Sequence, residues 1–147
     1  MNERCYPSRP HVAVGVVVLA GETVLLIRRA KAPRAGEWSI PGGAQQAGEP
    51  LTATARREVF EETGLAIALG GLIDALDYIE RDAAGRVRHH YTLIDFWARA
   101  DHGQALRAGG DAAEARWVPL AAVASLGLWE ETVRIIQKAA QTAQMTP

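Results

Sequence analysis

The amino-acid sequence predicts an α/β sandwich, in which a β-sheet lies between helices. A run that is apolar on both faces, HVAVGVVVLA from His11 to Ala20, is typical of an interior strand. Pro50 and Gly64 bracket a helix of roughly four turns, because proline fits a first helical position and glycine the left-handed residue after the last one. A second helix is predicted from Trp129 to Gln141. Strands mixed with helices along the chain, with one helix for each side of the sheet, indicate this fold class.

Before the first helix the sequence predicts three strands. Thr23 to Arg29 follows His11 to Ala20 after a tight turn at Gly21-Glu22, so the two form a hairpin. Trp38 to Ile40 is a short strand. The next residues, Pro41-Gly42-Gly43, force an irregular backbone, which lets main-chain groups approach a ligand or metal closely.

After the first helix, an alternating apolar pattern predicts a long hairpin. Leu65 to Leu69 reads as a strand, Gly70-Gly71 interrupts it, and Leu72 to Arg81 continues it, which indicates a strand with a bulge or bend. Ala83 to Arg86 is a turn, and Val87 to Ala100 is the returning strand.

The C-terminal part is predicted to add one more strand and two helices. Asp101 to Asp111 is glycine-rich and polar, which is typical of a loop, and Glu114 to Val118 is a short strand. Pro119 to Leu126 predicts a short helix. In the final helix, Val133 and Ile136 are expected on the inner side.

Length and composition indicate one globular domain. The 147 residues favour a single domain over residues 11–141, between a loosely held polar arm (residues 1–10) and a tail (residues 142–147). Hydrophobic residues make up 48% and charged residues 22%, so the chain is ordinary for a globular protein. The net charge of −1 argues against a broad surface for a nucleic acid or an anionic membrane, but not against a small phosphorylated ligand.

Cysteine content and targeting signals bear on location. Cys5 is the single cysteine, which excludes an intrachain disulfide. The N-terminal ten residues lack the apolar core of a signal peptide, and no apolar run approaches the roughly 20 residues of a membrane span. We therefore expect a cytoplasmic location.

Three carboxylates are predicted to share one face of the first helix. At about 100° per residue, Glu58, Glu61 and Glu62 point the same way, with Val59 and Phe60 on the opposite face. Glu58 and Glu62 are like charges one turn apart, which costs about 0.2–0.5 kcal/mol. Two interpretations stay open at this point: a solvated helix surface, or a set of oxygen ligands for a hard cation such as Mg²⁺ or Mn²⁺.

The stretch GAQQAGEPLTATARREVFEETGL resembles the signature of the Nudix hydrolase family, G-x5-E-x7-R-E-U-x-E-E-x-G-U, where U is a bulky aliphatic residue. GEWSIPGG, from Gly36 to Gly43, resembles the usual lead-in to that signature. The implied fold, a mixed sheet between helices, covers about His11 to Ala140 and agrees with the fold class predicted above. All nine specified positions match: Gly43, Glu49, Arg57, Glu58, Val59, Glu61, Glu62, Gly64 and Leu65.

The resemblance implies a metal-dependent hydrolase that cleaves the pyrophosphate linkage of a nucleoside diphosphate joined to another moiety. It assigns the metal ligands to Glu58, Glu61, Glu62 and the Gly43 carbonyl. Glu49 and Arg57 are implied to form a pair that orients the ligand carboxylates. Glu49 is also explained as an acid favoured by the helix dipole, and both interpretations are compatible.

The general base is left open by the resemblance. Glu58 and Glu61 are candidates within the signature, with Arg57 beside them in the catalytic set. Glu114 is a candidate outside it, because it stands at a loop–strand junction where related proteins often place a functional acid, and a structural role is the alternative. Asp111 lies at the same junction and is a candidate substrate contact.

A cluster of basic residues precedes the signature. Arg28, Arg29 and Arg34 are predicted to meet the phosphates of the substrate, and the alternative is ordinary solubilising charge. His89 and His90 are adjacent in a predicted strand, so they project to opposite faces and are not expected to share a metal.

The substrate prediction leans to ADP-ribose. LDYIERD, HYTLIDFWA and DAAEARWVPL resemble small bacterial Nudix proteins labelled ADP-ribose pyrophosphatases. Arg81, however, stands where longer ADP-ribose enzymes usually have a proline. The alternatives are a MutT-like hydrolase of oxidised nucleoside triphosphates and a non-catalytic nucleotide-sensing domain. We expect a small-molecule nucleotide as the partner, neither a nucleic acid polymer nor a membrane, and a monomer or homodimer.

Overall fold

The computed structural model describes residues 4–147, so the first three residues of the predicted arm lie outside the described part of the chain. The strands are β1 (His11–Ala20), β2 (Thr23–Arg29), β3 (Trp38–Ser39), β4 (Gly42–Ala44), β5 (Ala68–Arg81), β6 (Val87–Arg99) and β7 (Ala112–Pro119). The helices are α1 (Leu51–Thr63), a 3-10 helix (Leu120–Ser125) and α2 (Glu130–Gln144).

The strands form one seven-stranded mixed sheet. Its order is β3-β2-β1-β6-β5, with β4 paired to β1 and β7 paired to β2. β1 and β6 run parallel over nine partners, from His11↔Tyr91 to Leu19↔Arg99. The remaining pairs are antiparallel. The predicted mixed sheet is confirmed.

Two apolar cores lie on the two faces of the sheet. Successive side chains of a strand point to opposite faces, so Val16 and Val18 of β1 pack towards α1 while Val17 and Leu19 pack towards α2. Because each face of β1 packs against a core, the strand is apolar along most of its length. One helix on each face completes the predicted α/β sandwich.

β1 and β2 separate soon after their shared turn. They pair only at Leu19↔Val24 and Ala20↔Thr23, and β4 then takes the place beside β1. A side chain at Gly42 would overlap the main chain of β1 at Val14, so only glycine lets β4 lie this close. The irregular Pro41-Gly42-Gly43 segment, as predicted, therefore lets β4 take the place of β2 beside β1, and β1 and β2 diverge there.

Helix α1 ends before Gly64 as predicted, but the set of residues on its buried face differs from the prediction. Gly64 has φ 76°, the expected left-handed conformation, whereas Pro50 (φ −63°, ψ 150°) precedes the helix instead of forming its first residue. Phe60, predicted to share with Val59 the face opposite the three glutamates, is 59% exposed, whereas Val59 is buried. Ala55, Val59 and Glu62 form the buried stripe instead, at the i, i+4, i+7 spacing of one helix face. The prediction failed because it followed side-chain hydrophobicity, and Phe60 lies one position outside this stripe.

Both ends of the described chain are held by specific contacts. The Tyr6 amide donates to Arg88 O (2.7 Å), and the Tyr6 hydroxyl donates to Asp82 Oδ2 (2.9 Å). These contacts hold the described part of the arm at Tyr6. The final helix extends three residues beyond the predicted Gln141, and Arg99 Nη2 donates to the carbonyls of Ala143 (2.8 Å) and Thr146 (2.7 Å).

His89 and His90 project to opposite faces of the sheet, as predicted. His89 is 4% exposed and lies between Glu80 (Nδ1 to Oε1, 3.3 Å) and Cys5 (Nε2 to Sγ, 3.6 Å), while His90 is partly exposed on the other face. Neither α1 nor α2, within residues 4–147, combines the length and the apolar character of a membrane-crossing helix.

The predicted irregularity in β5 is present. The register of β5 against β6 shifts between Leu69 and Leu72 and again before Asp74. Gly70 lies directly against the buried indole of Trp97, and a side chain there would overlap the ring. Gly71 leaves more room, because a Cβ would meet only Trp97 Nε1, at 3.7 Å.

We therefore expect Gly70→Ala to displace Trp97 and to lower the free energy of unfolding by about 1–3 kcal/mol, the usual cost of overpacking a core. Urea denaturation followed by tryptophan fluorescence measures this, with Gly71→Ala as the matched control. A Gly70→Ala protein as stable as the control would show that the Trp97 contact does not constrain the fold.

Candidate active site

A cleft of about 750 Å³ opens beside the point where β1 and β2 separate. β4 and α1 contribute one wall, which includes Gly43, Glu58 and Glu62. β5, β6 and the region around the start of α2 contribute another, which includes Tyr78, Asp95 and Trp129. The cleft thus joins residues from β4, α1, β5, β6 and the start of α2.

The Arg57 guanidinium connects the loop before α1 with the carboxylates of α1. Its Nε and Nη2 donate to the two carboxylate oxygens of Glu49 at 2.7 and 3.0 Å, and Nη2 also donates to Ala44 O at 3.1 Å. Nη1 donates to Glu58 Oε1 at 2.9 Å. The Arg57 hydrogen bonds, followed by that of Thr54 Oγ1 (2.7 Å), lower the pKa of Glu49 to about 2. Glu49 is therefore ionised at any ordinary pH and holds Arg57 in place.

The Glu58 side chain is largely buried, at 14% exposed, against the main chain of β4. A side chain at Gly43 would overlap the Glu58 carboxyl group, so the glycine makes room for this carboxylate. Burial raises the pKa of Glu58, while the hydrogen bond and charge of Arg57 oppose that effect.

Glu62 is more deeply buried, at 3% exposed. Its Oε1 accepts a hydrogen bond from the Gly42 amide at 2.7 Å. Burial raises its pKa to about 8, although the Gly42 hydrogen bond lowers it and the Glu58 charge raises it further. The solvated-surface interpretation of the helix carboxylates therefore fails for Glu62.

Glu61 takes a third position. Its side chain is 49% exposed, and both carboxylate oxygens lie 3.3 Å from Arg57 Nη1. In residues 4–147, no three His, Cys, Asp or Glu side chains are arranged to hold a metal ion. The three glutamates of the signature do not converge, because Glu58 and Glu61 face Arg57 while Glu62 faces Gly42.

The donor set nevertheless fits a hard divalent cation. Glu58 and Glu62 are both buried acids with raised pKa values, so their charged forms lack full compensation from the protein. Carboxylate and carbonyl oxygens are the ligands that Mg²⁺ and Mn²⁺ prefer. Glu58, Glu62 and the adjacent Gly43 main chain are in place for such an ion, and Glu61 can join only after leaving Arg57.

Three of the four predicted substrate contacts line the cleft: Arg29, Arg34 and Asp111. Arg29 Nε donates to Pro33 O at 2.7 Å, and Arg34 Nη2 pairs with Glu37 Oε1 at 2.8 Å. Asp111 Oδ1 pairs with Lys31 Nζ at 3.0 Å. Arginine and lysine side chains thus stand at the entrance to the carboxylate wall.

The structure does not bring Arg28 and Glu114 into the lining of the cleft. They are cross-strand partners in β2 and β7, and Arg28 Nη2 lies 2.9 Å from Glu114 Oε1. Arg116 Nη2 lies 3.3 Å from the other Glu114 oxygen. By strand alternation Arg28 shares the face of Leu26, which packs towards α2, whereas the signature glutamates lie on α1.

Sequence analysis missed several residues of the cleft. Asp95, Tyr78 and Trp129 come from three separate elements and meet only through the sheet register and the start of α2. Asp95 alone had a local signal, since it is the one charged residue in the run YTLIDFWA, residues 91–98.

Known proteins resemble this chain over much of its length. The NUDIX domain family matches residues 9–139. A Methanocaldococcus jannaschii protein named ADP-ribose pyrophosphatase is 33% identical over 111 residues, which are 76% of this chain and 63% of that protein. A Mycobacterium tuberculosis protein named putative 8-oxo-dGTP diphosphatase 2 is 41% identical over 58 residues, 39% of this chain and 41% of that one. The matched part thus spans less than two-thirds of each of these two curated relatives.

The fold has a solved counterpart. The MutT NUDIX hydrolase from Burkholderia pseudomallei superposes with a TM-score of 0.73 at 27% identity, covering 89% of this chain and 98% of that structure. With the family match over most of the chain and the signature carboxylates at the cleft, this similarity gives one conclusion: the chain belongs to the Nudix hydrolase family.

Proposed function

We propose that this protein hydrolyses the pyrophosphate linkage of a nucleoside diphosphate joined to another moiety, using Mg²⁺ or Mn²⁺. The observation that carries the proposal is the pair of buried, under-compensated carboxylates, Glu58 and Glu62, beside the Gly42-Gly43 main chain. A site built to neutralise a cation, with arginines nearby, suits a substrate that carries several phosphate charges.

Within that class we propose ADP-ribose or a related nucleotide sugar as the substrate. The similarity to the M. jannaschii protein named ADP-ribose pyrophosphatase supports this choice, because it extends over 76% of this chain. A MutT-like hydrolysis of oxidised nucleoside triphosphates is the second candidate, supported by the higher identity to the M. tuberculosis protein over a shorter stretch. A non-catalytic sensor of nucleotides is the third, and the absence of hydrolysis would favour it.

In the proposed mechanism, Glu58, Glu62 and the Gly43 carbonyl would hold the cation, and Glu61 would join them after leaving Arg57. The bound cation would neutralise phosphate charge and make water a better nucleophile. Arg57, fixed by Glu49, orients Glu58. Arg29 and Arg34 offer positive charge to the phosphates at the cleft. The general base is proposed among the signature glutamates, Glu58 or Glu61, since Glu58 lines the cleft and Glu61 shares its Arg57 partner. A cytoplasmic location and a monomeric or dimeric state stay predictions.

The protein should release a nucleoside monophosphate from ADP-ribose with Mg²⁺ or Mn²⁺, because the carboxylates need a cation to bind a polyanion. Chromatographic quantification of the AMP released measures turnover before and after chelation. Undiminished turnover in excess EDTA would rule out the metal mechanism.

Glu62→Gln should leave stability without metal unchanged or increased. The glutamine oxygen can accept the Gly42 hydrogen bond, and the variant removes a carboxyl group that is costly to ionise in this site. Because the folded pKa of about 8 lies above the ordinary 4.5 of an unfolded glutamate, the wild type loses stability as pH rises from about 4.5 to about 8, and the variant does not.

Melting curves across this pH range, with and without Mg²⁺ or Mn²⁺, test both points. A ligand at a hundred times its Kd stabilises the folded state by about 2.7 kcal/mol, so the wild type should show a metal-dependent rise in Tm that Glu62→Gln largely loses. The half-exposed Glu61→Gln serves as the control for the pH slope. Strong destabilisation of Glu62→Gln without metal would make Glu62 a structural residue.

Glu114→Gln should keep kcat within about twofold of the wild type, because Glu114 pairs with Arg28 and Arg116 outside the cleft lining. Steady-state kinetics under saturating metal measure this. A fall in kcat of roughly 10²–10⁴, with metal affinity retained, would restore Glu114 as the general base.

A further inference from the structure

Asp95 of β6 is a buried acid in the cleft that the proposed hydrolysis does not use. It is 5% exposed, yet it belongs to the cleft lining. By strand alternation it shares the face of Trp97, which packs towards α2, so it lies on the other side of the sheet from the core that α1 covers. It is therefore separate from the carboxylates of α1.

The neighbouring strand is shaped around this carboxylate. Gly15 is the cross-strand partner of Asp95, and a side chain at Gly15 would overlap the Asp95 carboxyl group and Ile40. The Gly15 main chain provides a hydrogen bond to Asp95. The Asp95 carboxylate therefore lies in the cleft against the main chain of β1, and the Gly15 hydrogen bond uses only part of the acceptor capacity of its two oxygens.

The nearest cations are already engaged elsewhere. Asp74 stands opposite Asp95 in β5, and it pairs with Arg134 Nη1 at 3.1 Å and with Lys138 Nζ at 3.6 Å. Burial, followed by the Asp74 charge, raises the pKa of Asp95 to about 6. Burying a carboxylate in a cleft is costly unless further donors reach it, which argues that a ligand supplies them.

The walls around Asp95 suit a flat, largely apolar group. Leu76 and Leu93 line the cleft on neighbouring strands. The rings of Tyr78 and Trp129 meet edge to face, with centroids 5.4 Å apart, and both line the cleft. Ionised aspartate only accepts hydrogen bonds, and its two oxygens match two adjacent donors.

We propose that Asp95 is a specificity-determining residue that accepts hydrogen bonds from two adjacent donors on the nucleoside part of the substrate. Two groups have this chemistry: the N1–H and N2–H₂ edge of a guanine-type base, and the vicinal hydroxyls of ribose. The Watson–Crick edge of adenine has one donor beside one acceptor, so it matches a carboxylate less well. This inference rests on the proposed function, because it assigns the nucleoside part of that substrate to this wall of the cleft.

Binding of non-hydrolysable ligands tests the inference without turnover. The probes are the α,β-methylene diphosphates of guanosine, inosine and 2′-deoxyguanosine, measured by calorimetry with Mg²⁺. Inosine lacks the N2 donor, and 2′-deoxyguanosine lacks one hydroxyl. In the wild type, either the inosine or the 2′-deoxyguanosine probe should bind roughly tenfold or more weakly than the guanosine probe, because a hydrogen bond to a charged group is lost. Weaker binding of inosine would assign the donor pair to the base, and weaker binding of 2′-deoxyguanosine would assign it to the ribose.

Variants of Asp95 and of its opposite neighbour complete the test. Asp95→Leu should reduce the discrimination to less than about twofold. Asp95→Asn keeps the shape and replaces one acceptor by a donor, so it should also lose the discrimination even if the leucine variant fails to fold. Asp74→Asn, which removes a similar charge outside the cleft lining, should retain it.

Equal binding of all three probes by the wild type, or discrimination that survives in both Asp95 variants, would overturn the role of Asp95. Discrimination by Asp95 without any hydrolysis of nucleotide substrates would instead overturn the proposed function alone. The two failures are therefore distinguishable.

Discussion

The hydrogen bonds of Arg57 hold the carboxylate wall of the cleft in its arrangement. One guanidinium joins the loop at Glu49, the main chain of β4 at Ala44, and the α1 residues Glu58 and Glu61. Glu49 and Arg57 are only slightly exposed, at 14% and 24% of their side chains, so solvent competes weakly for these bonds. Because the guanidinium is planar and always charged, it fixes direction as well as charge. The position of Glu58 in the cleft depends on this group.

A second constraint is the close approach of main chain to the carboxylates. Gly42 donates its amide to Glu62, and Gly43 leaves space for Glu58. Gly15 likewise leaves space for the Asp95 carboxyl group on the other side of the sheet. Three glycines thus place three buried acids around one cleft, and each acid has a raised pKa because burial is the largest effect on it. Burying these acids lowers the stability of the fold, which is expected of a site that binds charged or donor-rich ligands.

The sequence predicted the elements well because their signals are local. The two-faced apolar run of β1, the left-handed Gly64 and the Gly70-Gly71 irregularity each follow from a few neighbouring residues. The predicted faces of α1 were wrong, because they grouped Phe60 with Val59, and the packing leaves Phe60 in solvent. The locations of Asp95 and Glu114 were not predictable, because they depend on which strands pair and in which register. A motif names the residues of a site, but tertiary packing decides which of them share a cleft.

The central claim is that the buried α1 carboxylates bind a divalent cation. Titration of Mn²⁺ into the protein, followed by the electron paramagnetic resonance of the free ion, measures this without any substrate. The account predicts saturable binding by the wild type, affinity weakened by about tenfold or more in Glu58→Gln and in Glu62→Gln, and unchanged affinity in Glu114→Gln. Equal Mn²⁺ affinity in the wild type, Glu58→Gln and Glu62→Gln would contradict it.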